Sequence, residues 1–212
     1  MLFLLDNLAF PPVSLADEDG LLAISSSFSV DMIVTAYANG IFPWYKDEQG
    51  FFYWYSTDPR CVILPEKLKV TKSMQQVLRN GQFRFTMNRC FKEVMKNCQL
   101  VERKLDSGTW ISDDFVEAYT QLHESGRAIS GECWHDGKLV GGCYGVWMNG
   151  IFYGESMFSS MSNASKFAFI NLVEALKNKG LRLIDCQQET QHMISLGAEM
   201  ISRDDFVEII KA

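Results

Sequence analysis

Three polar side chains interrupt otherwise apolar runs and could do amine or acid–base chemistry. Glu155 follows Ile151-Phe152-Tyr153-Gly154, and Asp185 and Gln187 punctuate Leu181-Arg182-Leu183-Ile184-Asp185-Cys186-Gln187. Side chains alternate along a regular strand, so Asp185 and Gln187 are expected on one face, about 7 Å apart. A carboxylate and an amide so placed at a strand end can hold and polarise an amine. The same spacing also fits a strand that has reached the surface, where Asp and Gln begin a solvated loop. Glycines flank these strands at Gly141, Gly142, Gly145 and Gly154. Within a strand, glycine marks a bulge, local curvature or the close approach of a ligand.

Other chemistries have less to stand on. Six cysteines occur at Cys61, Cys90, Cys98, Cys133, Cys143 and Cys186, with no C-x-x-C pair and only three histidines. That spacing argues against a zinc site. The cysteines read as reduced, buried thiols of a cytosolic protein, since a chain with a core this large has little need of disulfides. No phosphate-binding P-loop, dinucleotide fingerprint or nucleophile elbow is present. Trp44 and Trp110 lie in turn-rich segments, where an indole can stack on a base.

Charge is unevenly spread over the 212 residues, whose formal net charge is −6. Between Arg60 and Lys104 lie eleven basic and three acidic residues, a local +8, and the rest of the chain carries −14. This contrast suits a polyanion bound along one surface and a cation handled elsewhere, though a solvated basic helix face is the plainer alternative. The first ten residues lack the basic start and long apolar run of a secretory signal. No stretch approaches the roughly 18 apolar residues of a membrane span.

The elements that must carry these groups are legible from period and punctuation. Ser29 is placed to cap a helix ending at Gly40, and Thr71–Asn80 reads as a helix before Gly81. Phe83–Met87 alternates as a strand, with helices expected after Asn88 and after Ser112. Asp136-Gly137 and Asn149-Gly150 turn two hairpins across Ile129–Phe158. A helix at Asn163–Asn178 and a strand at Leu181–Gln187 follow, then a short helix and Phe206–Ile210. This order predicts an α+β (mixed-sheet α/β) fold: a small N-terminal domain over residues 1–60 and a larger one over 61–212.

In this order and spacing, a set of segments resembles the leucyl/phenylalanyl-tRNA–protein transferases, from about Phe10 to Phe206. They are Asp19-Gly20-Leu21-Leu22-Ala23, Gly40-Ile41-Phe42-Pro43-Trp44, Trp54-Tyr55-Ser56-Thr57-Asp58-Pro59-Arg60, Thr109-Trp110-Ile111, Gly141-Gly142-Cys143-Tyr144-Gly145-Val146, Gly154-Glu155-Ser156-Met157-Phe158-Ser159, Asn163-Ala164-Ser165-Lys166, Leu183-Ile184-Asp185-Cys186-Gln187 and Ser195-Leu196-Gly197-Ala198. The resemblance implies a C-terminal domain with the acetyltransferase-like (GNAT-like) fold. It implies transfer of Leu or Phe, and Met less well, from aminoacyl-tRNA to proteins with N-terminal Arg or Lys. That reaction belongs to the N-end rule pathway of protein degradation, in the cytoplasm.

By the same resemblance, Asp185 orients and polarises Gln187, whose carbonyl oxygen accepts a proton from the attacking amine, and Glu155 contacts the basic acceptor residue. Trp44 and Trp110 hold the terminal adenosine. Cys143, Phe152, Phe169, Leu172, Leu176 and Ile184 line the pocket for the transferred side chain. Lys67, Lys69, Lys72, Arg79 and Arg84 fall in the basic stretch that would track the tRNA phosphates. A monomer without metal or organic cofactor is expected. The chain departs from the family at Ser25-Ser26-Ser27, where Gly-Gly-Asp is usual, and at Cys143, where Met is often found. An acyl-CoA-dependent N-acetyltransferase on the same fold is disfavoured by the lack of a Q/R-x-x-G-x-G/A loop. A non-catalytic recogniser of basic N-termini stays open at this level.

Overall fold

The ring-rich N-terminal stretches pair with one another to hide their faces. β1 (Phe3–Leu5), β2 (Leu21–Ser25), β3 (Phe42–Lys46) and β4 (Phe52–Tyr55) form a sheet in the order β1-β2-β4-β3. The computed structural model describes residues 3–5, 9–103 and 111–212, with side chains over 9–100 and 111–212. Helix α1 (Val30–Ala38) starts where expected, with the Ser29 hydroxyl accepting the Met32 N–H at 3.2 Å. Just before it, Ser25-Ser26-Ser27 makes its own turn. The Ser25 hydroxyl accepts the Trp54 indole N–H at 2.8 Å and donates to the Ser27 carbonyl at 2.7 Å.

The second sheet has seven strands: β5 (Arg60–Ile63), β6 (Arg84–Met87), β7 (Ala128–His135), β8 (Lys138–Met148), β9 (Ile151–Ser159), β10 (Leu183–Gln187) and β11 (Glu199–Ile201). Their order is β11-β5-β10-β9-β8-β7-β6, and only β9 and β10 run parallel. Both hairpin turns use two successive left-handed residues, Asp136-Gly137 (φ 48° and 74°) and Asn149-Gly150 (φ 51° and 76°). Asn, Asp and Gly tolerate that conformation, and its twist matches the strands it joins.

Helices cover both faces. α2 (Lys72–Arg79) and α5 (Ala164–Lys177) lie on one; α3 (Phe91–Arg103) and α4 (Asp113–Glu124) lie on the other. α6 (Gln191–Ser195) and α7 (Arg203–Lys211) complete the chain. Strand alternation splits the core accordingly. Ile63, Cys143, Phe152 and Ile184 pack with α5, while Val62, Tyr144, Tyr153 and Leu183 pack with α3, α4 and the N-terminal sheet. Phe28, stacked on Phe52 and against Phe115 of α4, joins the two sheets into that second core. The mixed sheet with helices on both faces is the expected α+β class.

Three helix starts differ from expectation. Ser112 precedes α4 but makes no side-chain cap bond, its hydroxyl donating instead to Asp114 Oδ2 at 3.2 Å. Asn88 adopts φ 58° and its side-chain oxygen accepts the Ser130 N–H at 2.9 Å, so it ties the chain before α3 to β7. Asn163 also adopts a left-handed φ and makes no side-chain cap bond. The cysteines are all free, but Cys90 and Cys186 are only partly buried. Cys186 is half-buried because its strand leaves the ladder beside a cleft that it lines.

Candidate functional site

β9 and β10 pair from Leu183 opposite Ile151 to Asp185 opposite Tyr153, and there the pairing stops. Each strand then bulges against its other neighbour. On β9, Gly154 faces Gly145 and Ser156 faces Tyr144, so Glu155 is an extra residue. On β10, Asp185 faces Val62 and Gln187 faces Cys61, so Cys186 is extra, and Gln187 takes φ 56°. A bulge bends its strand and re-aims its side chains, so two side by side open a cleft between the parallel strands. Gly145 makes room opposite the first bulge: a Cβ there would sit 2.1 Å from the Tyr153 carbonyl oxygen.

The cleft has two compartments. The larger, about 680 Å³, has apolar walls that include Cys143, Phe152, Met157, Phe169 and Ile184. The smaller, about 260 Å³, is lined by Phe42, Pro43 and Trp44. Glu155, Cys186, Gln187, Gln188 and Thr190 belong to both. Of the side-chain-pocket residues expected from sequence, Leu172 and Leu176 do not line the cavity. They are fully buried in the core with α5, because their helix packs them against the sheet. Trp44 is at the cleft, edge-on to Tyr55 at 4.5 Å, and Trp110 lies outside the described residues.

Glu155 meets residues from three distant parts of the chain. The Tyr37 hydroxyl of α1 donates to Oε1, the Tyr119 hydroxyl of α4 donates to Oε2 at 3.1 Å, and Gln187 Nε2 donates to Oε1 at 3.2 Å. The two tyrosine oxygens are 2.8 Å apart. The ring of Tyr37, Tyr119 and carboxyl thus has three oxygen–oxygen contacts. With Glu155 ionised only two protons serve them; a protonated carboxyl supplies the third. Burial pushes the Glu155 carboxyl up to about 7, against the tyrosine hydrogen bonds, and the Asp185 charge adds to the push while Arg60 opposes it. Burial, with the Glu155 charge next, holds both phenols well above their ordinary value, so they stay donors.

Asp185 does not face the cavity and is fully buried. Arg60 grips it bidentately, Nε to Oδ1 at 2.8 Å and Nη2 to Oδ2 at 2.7 Å. The Arg60 guanidinium lies between the rings of Phe42 and Phe206, at 4.7 and 4.5 Å, and donates to the Gly40 carbonyl at 3.3 Å. Arg60 is therefore no part of the basic surface: it is 1% exposed and neutralised by Asp185. The expected strand spacing between Asp185 and Gln187 is also corrected. The bulge breaks the regular alternation, and Asp185 reaches Gln187 through the main chain, Oδ1 accepting the Gln187 N–H at 2.9 Å.

The remaining basic candidates are exposed. Lys67 is paired with Glu199 at 2.7 Å, and Lys69 stands beside α6, its N–H bonded to the Leu196 carbonyl. Lys72 and Arg79 lie on α2, and Arg84 on the edge strand β6. Sequence reasoning missed Tyr37, Tyr119 and Arg60. Two polar-tipped rings inside apolar helices and an arginine directly ahead of Cys61-Val62-Ile63 were the available signals. His192 was also missed. It lines the larger compartment, and its buried Nε2 has no hydrogen-bond partner. Among the described residues no cluster of three or more His, Cys, Asp or Glu is arranged to hold a metal ion, and no helix is long and apolar enough to cross a membrane.

Comparison with known proteins accounts for nearly the whole chain. A family described as "Leucyl/phenylalanyl-tRNA protein transferase" matches residues 62–211, and its N-terminal domain matches 26–58. A leucyl/phenylalanyl-tRNA–protein transferase of Christiangramia forsetii is 48% identical, covering 99% of this chain and 100% of the relative. That of Flavobacterium johnsoniae is 45% identical over the full length of both, and that of Neisseria meningitidis serogroup C is 44% identical over 97% of this chain and 88% of its own. Among solved structures, FemX superposes with a TM-score of 0.51 at 10% identity, covering 86% of this chain and 71% of that one. That likeness concerns the fold alone.

Proposed function

This chain belongs to the leucyl/phenylalanyl-tRNA–protein transferase family, and on that premise we propose that it moves Leu or Phe, and Met less readily, from aminoacyl-tRNA to the α-amine of proteins beginning with Arg or Lys. The observation that carries this reading is the two-compartment cleft whose parts meet at Glu155 and Gln187. The apolar compartment suits a Leu or Phe side chain. Trp44 offers a ring to the terminal adenosine, and the exposed lysines and arginines around α2 suit the acceptor-stem phosphates.

The chemistry asks for placement more than activation. The aminoacyl ester is already reactive, and an α-amine with a pKa of about 7.7–8.0 is partly neutral near pH 7. Gln187 commits Nε2 to Glu155, which leaves Oε1 as the acceptor for a hydrogen of the incoming amine. The amine nitrogen attacks the ester carbonyl, the C–N bond forms, and the C–O bond to the ribose breaks. The proton shed by the amine ends on the ribose oxygen. Positioning of this kind supplies much of the rate. Asp185, clamped by Arg60, is a positioning residue that holds the Gln187 main chain. Glu155, ionised above about pH 7, attracts the basic side chain of the acceptor residue. No metal or organic cofactor enters this scheme, and a monomer acting in the cytoplasm completes the reading.

The test is transfer of radiolabelled Leu and Phe from charged tRNA to a peptide beginning with Arg, with its N-acetylated form as control. Label on the free peptide alone supports the reading. Binding of tRNA and peptide without transfer would replace it with a recogniser of basic N-termini.

A further inference from the structure

A buried nitrogen in the cleft wall takes no part in this transfer chemistry. His192 lines the larger compartment and not the smaller, and its buried Nε2 has no hydrogen-bond partner among the described residues. An unpaired buried polar atom is costly, and a ligand that supplies the missing partner removes that cost. The backbone beneath the ring is fixed. The Thr190 hydroxyl caps α6 by accepting the Met193 N–H at 3.1 Å, and the His192 carbonyl accepts the Ser195 hydroxyl at 2.7 Å. Past the helix, the Leu196 carbonyl accepts the Lys69 N–H at 2.9 Å, and Gly197 lies so close to the Lys67 carbonyl that no Cβ would fit. Burial, and next the charge of Lys166, hold the imidazole below its ordinary value, so the ring is neutral near pH 7. With its proton on Nδ1, a neutral imidazole offers a lone pair at Nε2.

The two compartments divide the aminoacyl ester between them. The transferred side chain suits the larger, and the terminal adenosine suits the smaller, beside Trp44. The ester then lies where they meet, at Glu155 and Gln187. The carbon next to it bears one further polar group, the α-amine of the transferred residue, which falls on the side that His192 lines. Glu155 already accepts from Tyr37, Tyr119 and Gln187, and Gln187 Oε1 serves the incoming amine. We propose that His192 Nε2 accepts a hydrogen bond from the α-amine of the transferred residue and so selects donors that carry that amine. This inference rests on the transfer reading. With an ordinary pKa of about 7.7–8.0, much of such an amine is ammonium near pH 7, which makes the bond charge-assisted. A donor without the amine leaves Nε2 unpaired, and sites built to bond a substrate N–H reject analogues that lack it.

The experiment compares two tRNAs, one carrying Phe and one carrying 3-phenylpropionate, which has the same side chain without the amine. Kd is measured for each in the absence of peptide, and kcat/KM for acyl transfer to a peptide beginning with Arg. The wild-type chain is expected to favour Phe-tRNA by about 10-fold or more in both, the effect of one hydrogen bond to a charged group. His192→Phe is expected to bring Phe-tRNA down to the level of the other tRNA. His192→Gln, which keeps an oxygen acceptor, is expected to restore part of the preference. An equal loss with both tRNAs in His192→Phe, as a damaged fold or a contact to the ribose would give, overturns the proposal. Equal Kd for the two tRNAs in the wild-type chain also overturns it, and decides the matter even if no variant folds. If the wild-type chain transfers neither acyl group, the transfer reading fails, and the Kd ratios still judge the contact.

Discussion

Glu155→Gln isolates the cost of keeping a carboxylate in the cleft. The Glu155 carboxyl is raised from 4.5 to about 7, chiefly by burial. At 1.36 kcal/mol per pH unit, that displacement corresponds to about 3 kcal/mol. The folded-state value lies above the unfolded one, so folding takes up a proton. The favourable contribution is complete below about pH 4.5, declines as pH rises, and is gone above about 7. Glutamine does not titrate. At pH 4.5 the two proteins are expected to differ by about 1 kcal/mol or less, since the amide still accepts from one tyrosine and can donate to the other. At pH 8.5 Glu155→Gln is expected to be the more stable by about 2–3 kcal/mol, or roughly 5–10 °C in Tm for a chain of this size. Thermal melts of both proteins without substrate, from pH 4.5 to 9, read this difference directly, because all other titrating groups cancel. Parallel pH profiles would refute the idea that burial governs this carboxyl. In transfer assays the same variant is expected to raise KM for an Arg-starting peptide and leave tRNA affinity alone.

Arg60→Ala leaves the Asp185 charge buried with only a main-chain donor, and is expected to cost about 3–5 kcal/mol in urea unfolding. The double change Arg60→Ala with Asp185→Ala is expected to cost less than the two singles combined; strict additivity would reject the pair. Gln187→Ala is expected to lower kcat by about 100-fold or more with tRNA Kd unchanged, and matched losses in binding and turnover would remove its assigned role. Charge reversal at Lys69, Lys72 and Arg79 is expected to flatten the salt dependence of tRNA binding by about one unit of slope per contact. Lys67, already paired with Glu199, is expected to change it least; an unaltered slope in the triple variant would clear this surface of contact.

Much was decided by residues acting on their immediate neighbours. Ser29 and Thr71 cap their helices because a hydroxyl oxygen reaches an N–H three residues on. Asp136-Gly137 and Asn149-Gly150 turn the hairpins because those residues accept left-handed backbone. Glu155, Asp185 and Gln187 stood out because polar groups break apolar strands. Such effects depend on short stretches of chain, so order and spacing reveal them, as they did the family. What the sequence could not show depended on partners far along the chain. The bulges at Glu155 and Cys186 arise from the register of neighbouring strands, which no local pattern states. Arg60 reads as surface charge until folding brings Asp185 from 125 residues away. Tyr37 lies 118 residues from the carboxyl it holds, and only the packing of α1 and α4 over the sheet joins them. Whether Leu172 and Leu176 fill the core or line the cavity is likewise settled by how α5 rotates onto its strands. Local chemistry thus sets the elements and marks Glu155, Asp185 and Gln187; which groups meet around them follows from burial and strand register, which are properties of the assembled chain.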